Sequence, residues 1–464
     1  MRPAEVIESV LAQATDPSGR TAAVVALQQE STTNLRWANS AVTTNGACEA
    51  TDITVTAFVP VTGGVATATR SGPVGEAVGL LAEAQAVAKV SPAAADAADL
   101  LTGEADPGWD RDTADVTGDP TLPAADLSGL ITTLRAAFRE PAIEYYGYAE
   151  ETRTSTWVGT STGLRWRTTE SEARLEVSAK SRGRTRSAWH GESARQLAAI
   201  DPATAVARVQ TGLEWQQHQV TVPPEPMPVI LTPAAVADLM VVLWWQLTAR
   251  DAAEGVSALR GEGPAGTALG TRLTARRLTL SSDPHDPHAP AADRLWTPWS
   301  SPHASVFDTG AEIGAVDWIR DGVLENLIST RALASQYDLP VRPAADQLSL
   351  SDADGRGDLE ALVSRTDHAL LITSLWYLRD VDLQTMQLTG LTRDGCYLVR
   401  NGRVAGATGN FRFNDSPLSL LARVSDAGVS VPCLPREWGD YFTRAQMPPL
   451  VVDQFGLSTV SPAV

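Results

Sequence analysis

The sequence predicts an α+β protein: an N-terminal β-meander with helices, followed by a β-rich C-terminal domain of antiparallel hairpins with a few packed helices. Three observations predict it. Residues 369–415 read as a ladder of strand-like runs punctuated by Thr389-Gly390, Asp394-Gly395 and Asn401-Gly402. The last pair can take the positive φ angles that a two-residue hairpin turn requires. Residues 22–69 contain short apolar runs separated by Thr43-Thr44-Asn45-Gly46 and Gly63-Gly64. Helical spacing of apolar residues is confined to a few segments, beginning with Pro3 to Ala14.

In chain order, that first helix is broken by Asp16-Pro17-Ser18-Gly19. Strands follow at Ala22–Leu27, Ser31–Ala38, Asp52–Val59 and Val61–Thr69, with a hairpin signal at 43–46 and another at Gly63-Gly64, and then an Ala-rich helix at Val74–Lys89. Residues 101–123, rich in Asp, Gly, Pro and Thr, read as a linker or long loop. A helix at Leu127–Phe138 precedes five strands, Ala142–Ala149, Arg153–Gly159, Leu164–Glu170, Glu172–Ser181 and Arg184–His190, and a helix at Ser193–Arg208. The Pro-rich run 222–228 opens a third region with a strand at Val229–Leu231, a helix from Pro233 to about Arg250 and a β-rich remainder. The expected domains are 1–100, 101–222 and 223–464.

A chain of 464 residues supports two or three cores. Its formal net charge of -18 disfavours nucleic acid, because phosphate binding needs clustered cations. The basic stretch Arg182-Gly183-Arg184-Thr185-Arg186 reads as a solvated edge. Cys48, Cys396 and Cys433 are scattered, odd in number and free of any CxxC pair, which suits a reducing cytoplasm. No apolar run approaches the roughly 20 residues that span a bilayer, and the N-terminus has helical periodicity in place of a signal peptide. A cytoplasmic protein without membrane contact is expected.

Motifs with chemistry are sparse. Gly261-Glu262-Gly263-Pro264-Ala265-Gly266 matches GxGxxG but follows a helix, and Pro264 removes an amide that a pyrophosphate would need. Asp352 to Asp358 lacks the ligand pattern of a calcium loop. There is no phosphate loop and no nucleophile elbow. His285 and His288 are the only histidines close in sequence. With Asp283 or Asp286 they form the alternative metal set, although an exposed Pro-rich loop is the preferred reading. On the helix at 233–250 the only hard donor is Asp238, expected to be solvated. Trp244 and Trp245 point about 100° apart on that helix, so one of them is expected to face a partner. Trp376 is expected in the core.

Leu375-Trp376-Tyr377-x-Arg379, Thr389-Gly390-Leu391-Thr392-Arg393-Asp394-Gly395, Asn410-Phe411-Arg412-Phe413 and the tail Met447–Val452 closely resemble the C-terminal region of the TldD/PmbA family. Arg36-Trp37-Ala38-Asn39-Ser40 ahead of Thr43–Gly46 is similar to its N-terminal domain. The resemblance implies a peptidase of paired subunits. In the active branch, the helix corresponding to 233–250 carries HExxxH, whose histidines bind zinc while the Glu moves the proton of the bound water. A cysteine ligand is implied near Arg393, with Cys396 falling where a small residue packs. Both halves of that zinc site are missing here.

The resemblance therefore implies a TldE/PmbA-like, non-catalytic subunit with no catalytic residue and no cofactor of its own. Zinc is expected in a TldD-like, HExxxH-bearing partner, and this chain would wall a chamber and bind extended or unfolded peptide. Candidate peptide or partner contacts are Asp308, from the family's acidic turn near the cleft, with Trp244, Trp245 and Arg393. Two alternatives stay open: a stand-alone metallopeptidase using His285, His288 or His303, and a regulatory protein-binding module of the gyrase-modulator type. Self-association without the partner also stays open.

Overall fold

The computed structural model describes residues 2–14, 21–111 and 126–461. The helix break at 16–19 and most of the 101–123 linker lie outside the described residues. The first part of the chain contains α1 (Pro3–Leu11), β1 (Ala22–Ala38), β2 (Ala41–Val61), β3 (Gly64–Pro73), α2 (Ala77–Val90), α3 (Ser128–Ala137), β4 (Ile143–Thr160), β5 (Arg165–Ser181), β6 (Ser187–Ala194) and α4 (Pro202–Trp215). The second contains β7 (Met227–Leu231), α5 (Pro233–Trp245), α6 (Ala249–Ala253), β8 (Leu278–Ser282), β9 (Val316–Arg320), β10 (Val323–Leu324), α7 (Arg331–Tyr337), β11 (Leu348–Asp352) and α8 (Leu359–Ser364). It continues with β12 (His368–Asp382), β13 (Gln387–Arg400), β14 (Arg403–Ala407), β15 (Asn410–Asp415), α9 (Pro417–Leu421), β16 (Val424–Ala427), β17 (Val431–Cys433), β18 (Ala445–Met447), β19 (Leu450–Phe455) and β20 (Leu457–Ser461). The fold is α+β.

The first six strands make one antiparallel sheet, ordered β3-β2-β1-β4-β5-β6. Because β1 pairs with β4 along Val24 to Trp37, the division at 100/101 does not separate two sheets. Val6, Ile7 and Val10 of α1 and Leu80 and Leu81 of α2 bury themselves against Val25, Leu27, Val55 and Trp157. Farther along, α3 and α4 cover Leu35, Trp37, Tyr145, Leu175 and Val177. Each such side chain, fully buried, contributes about 1.5–3 kcal/mol of transfer free energy.

Several local expectations are corrected. The first hairpin turns at Asn39-Ser40, both in left-handed backbone (φ 52° and 57°), and Asn45-Gly46 lies inside β2. Asn39 tolerates that conformation, and its Oδ1 accepts hydrogen bonds from Tyr146 and Arg184, which anchors the turn there. The paired strand segments expected at 142–159 and 164–181 are two continuous strands, β4 and β5. The helix placed at 193–208 begins instead at Pro202, because Asp201 caps it by accepting from the amides of Ala203 (3.0 Å) and Thr204 (3.2 Å). Arg182 and Arg184 are exposed, as the reading of a solvated edge expects, and pair with Glu144 there.

The C-terminal part holds two further sheets, β10-β9-β8-β11-β18-β17 and β16-β19-β7-β12-β13-β15-β20, with β14 added to β13. They are not purely antiparallel: β7 runs parallel to β12 and β11 parallel to β18. Of the expected turns in the ladder, Asn401-Gly402 is the hairpin corner, whereas Thr389-Gly390 and Asp394-Gly395 lie within β13. Asp394 and Gly395 have positive φ where the β12–β13 register shifts, so they mark a bulge.

Candidate functional site

Helix α5 lies between the two C-terminal sheets, touching β7, β12, β17, β18 and α9. Thr232 caps it, Pro233 fills its first position, and every residue from Ala234 to Trp244 is buried. A helix apolar on all sides is a core helix; Trp244 is buried in it, and Trp245, at its C-terminal end, is only partly buried. Trp244 packs against His303 and Phe442, ring centroids 6.3 and 5.5 Å away. Trp245, partly buried, meets Trp438 edge-on at 5.0 Å.

Asp238 is likewise not solvated. It is fully buried in α5, where one oxygen accepts the Glu437 amide at 2.8 Å and the other has no hydrogen-bond partner among the described residues. Burial pushes its carboxyl well above the usual carboxylate range, against the lowering effect of the amides of Glu437 and Arg436. The backbone carbonyl of Asp238 accepts from Trp438 Nε1 at 3.0 Å. One turn of α5 is thereby fastened to the segment 436–438.

These residues do not fit a zinc ion. Around Asp238 the helix presents Ala235, Leu239, Met240 and Val242, none a ligand. Cys396 is buried on β13, its thiol pushed up to about 12 by burial, which opposes the thiolate a metal needs. His285 and His288 are exposed, and their amides are bound by Asp283 and Asp286, whose second oxygen takes Gln446 Nε2 at 2.6 Å. His303 Nε2 donates to the Trp245 carbonyl at 2.7 Å. Among the described residues no three His, Cys, Asp or Glu side chains come together as a metal site.

At the C-terminal end of α5 a cleft of about 190 Å³ opens between Val242, Trp245, Gln246, Leu378, Asp380, Leu388 and Trp438. Beside it the β12–β13 register shifts between Trp376 and Arg379, with Tyr377 in left-handed backbone (φ 56°) and exposed. Glu437 holds this bulge: it accepts from the Tyr377 amide and from Arg379 Nη1, both at 3.0 Å. The sequence singled out Trp245, but no local signal joins 245, 380 and 438.

The other candidates are placed as follows. Arg393 lies 5.6 Å over the Trp376 ring, and Arg436 is sandwiched between Trp376 (5.1 Å) and Trp189 of β6 (4.7 Å). Trp376 is thus half-buried beside two guanidinium groups and not an ordinary core residue. Asp394 receives Ser187 Oγ at 2.7 Å, so this stack joins the N-terminal sheet to β13. Asp308 is buried, with its oxygens taken by Arg331 Nε (2.8 Å) and the Arg331 amide (3.1 Å).

Residues 224–459, about half of the chain, match the family described as PmbA/TldA metallopeptidase C-terminal domain. The chain belongs to the TldD/PmbA family. Its fold is similar to that of a candidate modulator of a DNA gyrase from Thermotoga maritima, with TM-score 0.73 and 14% identity over 98% of this chain and 100% of that one. TldE from Thermococcus kodakarensis (TM-score 0.72, 14%, 98% and 99%) and a candidate modulator of DNA gyrase from Bacteroides thetaiotaomicron VPI-5482 (0.73, 14%, 98% and 99%) are similar too. No curated protein matches the sequence. No helix among the described residues is long and apolar enough to cross a membrane.

Proposed function

We propose that this chain is the TldE-like, non-catalytic subunit of a two-chain zinc metallopeptidase, and that it binds extended or unfolded peptide for a TldD-like partner that holds the metal. The carrying observation is α5: the helix on which the resemblance places HExxxH is here apolar, buried and without imidazole. A buried helix of this kind shapes a wall and holds no reactive water.

Two features support peptide capture. Residues 41–51 of β2 pair with β1 on one side only, since β3 begins its pairing at Asp52, and nothing among the described residues occupies the other edge. Such an edge can accept a strand through main-chain hydrogen bonds with little sequence preference. The cleft at Trp245 and Trp438 adds an aromatic pocket next to a bulged strand. The test is co-expression with a TldD-like, HExxxH-bearing chain. A stable complex that cleaves unfolded polypeptide, while this chain alone does not, is expected; failure to associate with any such chain would contradict the reading.

A further inference from the structure

The Trp245–Trp438 cleft is more than an apolar pocket. Its walls are Val242, Leu378, Leu388 and the two indoles, and its polar side chains are Gln246 and Asp380. Asp380 is exposed at the rim; Gln246 Nε2 donates to its Oδ1 at 2.8 Å, and no cation among the described residues pairs with it. Gln246 Oε1 is buried without a donor among the described residues, so the exposed Asp380 carboxylate is the acceptor open to a ligand. The nearest arginine, Arg379, is turned away to Glu437 and the Tyr377 ring. Asp382 adds a second exposed carboxylate on the same strand.

An aliphatic wall, two aromatic rings and a carboxylate without a cation partner among the described residues together match one chemistry: a cation on an apolar stem. We propose that this cleft takes a lysine or arginine side chain of the bound polypeptide, with the methylene stem against Leu378 and Leu388 and the cationic head at Asp380. The inference rests on the peptide-binding reading and adds a side-chain preference to it. The net charge of -18 acts in the same direction, since it draws cationic segments toward the chain.

The test uses the full chain and blocked pentapeptides, Ala-Ala-X-Ala-Ala, with X as lysine, arginine, norleucine or glutamate, titrated by calorimetry or tryptophan fluorescence. Lysine and arginine peptides are expected to bind about tenfold tighter than norleucine, which has the stem without the charge, and glutamate weakest. Asp380→Asn keeps an acceptor for Gln246 and removes only the charge. It should bring the lysine and norleucine affinities close together, whereas Trp438→Phe should weaken both. Equal binding of lysine and norleucine by the unaltered chain, or a lysine preference that survives Asp380→Asn, would overturn the proposal while leaving peptide capture intact. Failure of every pentapeptide to bind also overturns it. If a long unfolded polypeptide does not bind either, the peptide-binding reading falls as well.

Discussion

Asp238 Oδ1 accepts the amide proton of Glu437 across 2.8 Å, so the middle of α5 and the segment that frames the Trp245–Trp438 cleft move as one unit. The carboxyl is fully buried and its ionisation is pushed well upward by desolvation. In the unfolded chain the same group ionises near pH 4. Between those two values the fold holds a proton that the unfolded chain has released, so stability falls as pH rises, by up to about 1.4 kcal/mol per pH unit. Asp238→Asn keeps the acceptor and cannot ionise. Its thermal midpoint, followed from pH 5 to pH 8, should decline less steeply than that of the unaltered protein; parallel curves would show that Asp238 is ionised in the fold.

The corner of the β13–β14 hairpin depends on Gly402. Its φ is 72°, and a Cβ there would stand 2.3 Å from the Ser364 carbonyl oxygen, which is backbone and cannot swing aside. Gly402→Ala should therefore cost about 2 kcal/mol or more through strain and displacement of the turn after α8, read as a lower midpoint in a denaturant or thermal melt. Asn401→Gly, which only relaxes the same corner, should stay within about 1 kcal/mol of the original.

The Asp308–Arg331 pair separates structure from recognition. Both carboxylate oxygens are used inside the fold, where they tie the 306–308 turn to the start of α7. Removing one member of such a pair leaves the other uncompensated, so Asp308→Ala should destabilise by about 3–5 kcal/mol. Peptide affinity of the protein that remains folded should be unchanged. A loss of affinity without a loss of stability would return Asp308 to the binding surface.

Local chemistry was legible in the sequence and non-local burial was not. Asn401-Gly402 and Gly63-Gly64 could be placed because a two-residue turn is decided by the φ freedom of its own residues. The same rule pointed to Asn45-Gly46 when a second solution, Asn39-Ser40, was held by the Tyr146 hydroxyl and the Tyr145 amide of β4, about a hundred residues away. Helix α5 was visible as a helix, yet a helix apolar on every side has no periodicity to say which face is buried. Asp238 consequently read as solvated, and which of Trp244 and Trp245 is buried could not be told. The cleft combines α5, β12 and the 437–438 segment, and only the parallel pairing of β7 with β12 brings the first two together.

Zinc analysis of the purified chain, coupled to a peptidase assay, tests most directly whether the chain holds no catalytic metal of its own. We predict that the chain alone carries far less than one zinc per molecule after dialysis and cleaves no unfolded polypeptide, with or without added zinc. One tightly held zinc per chain, together with hydrolysis that a chelator abolishes and zinc restores, would contradict it.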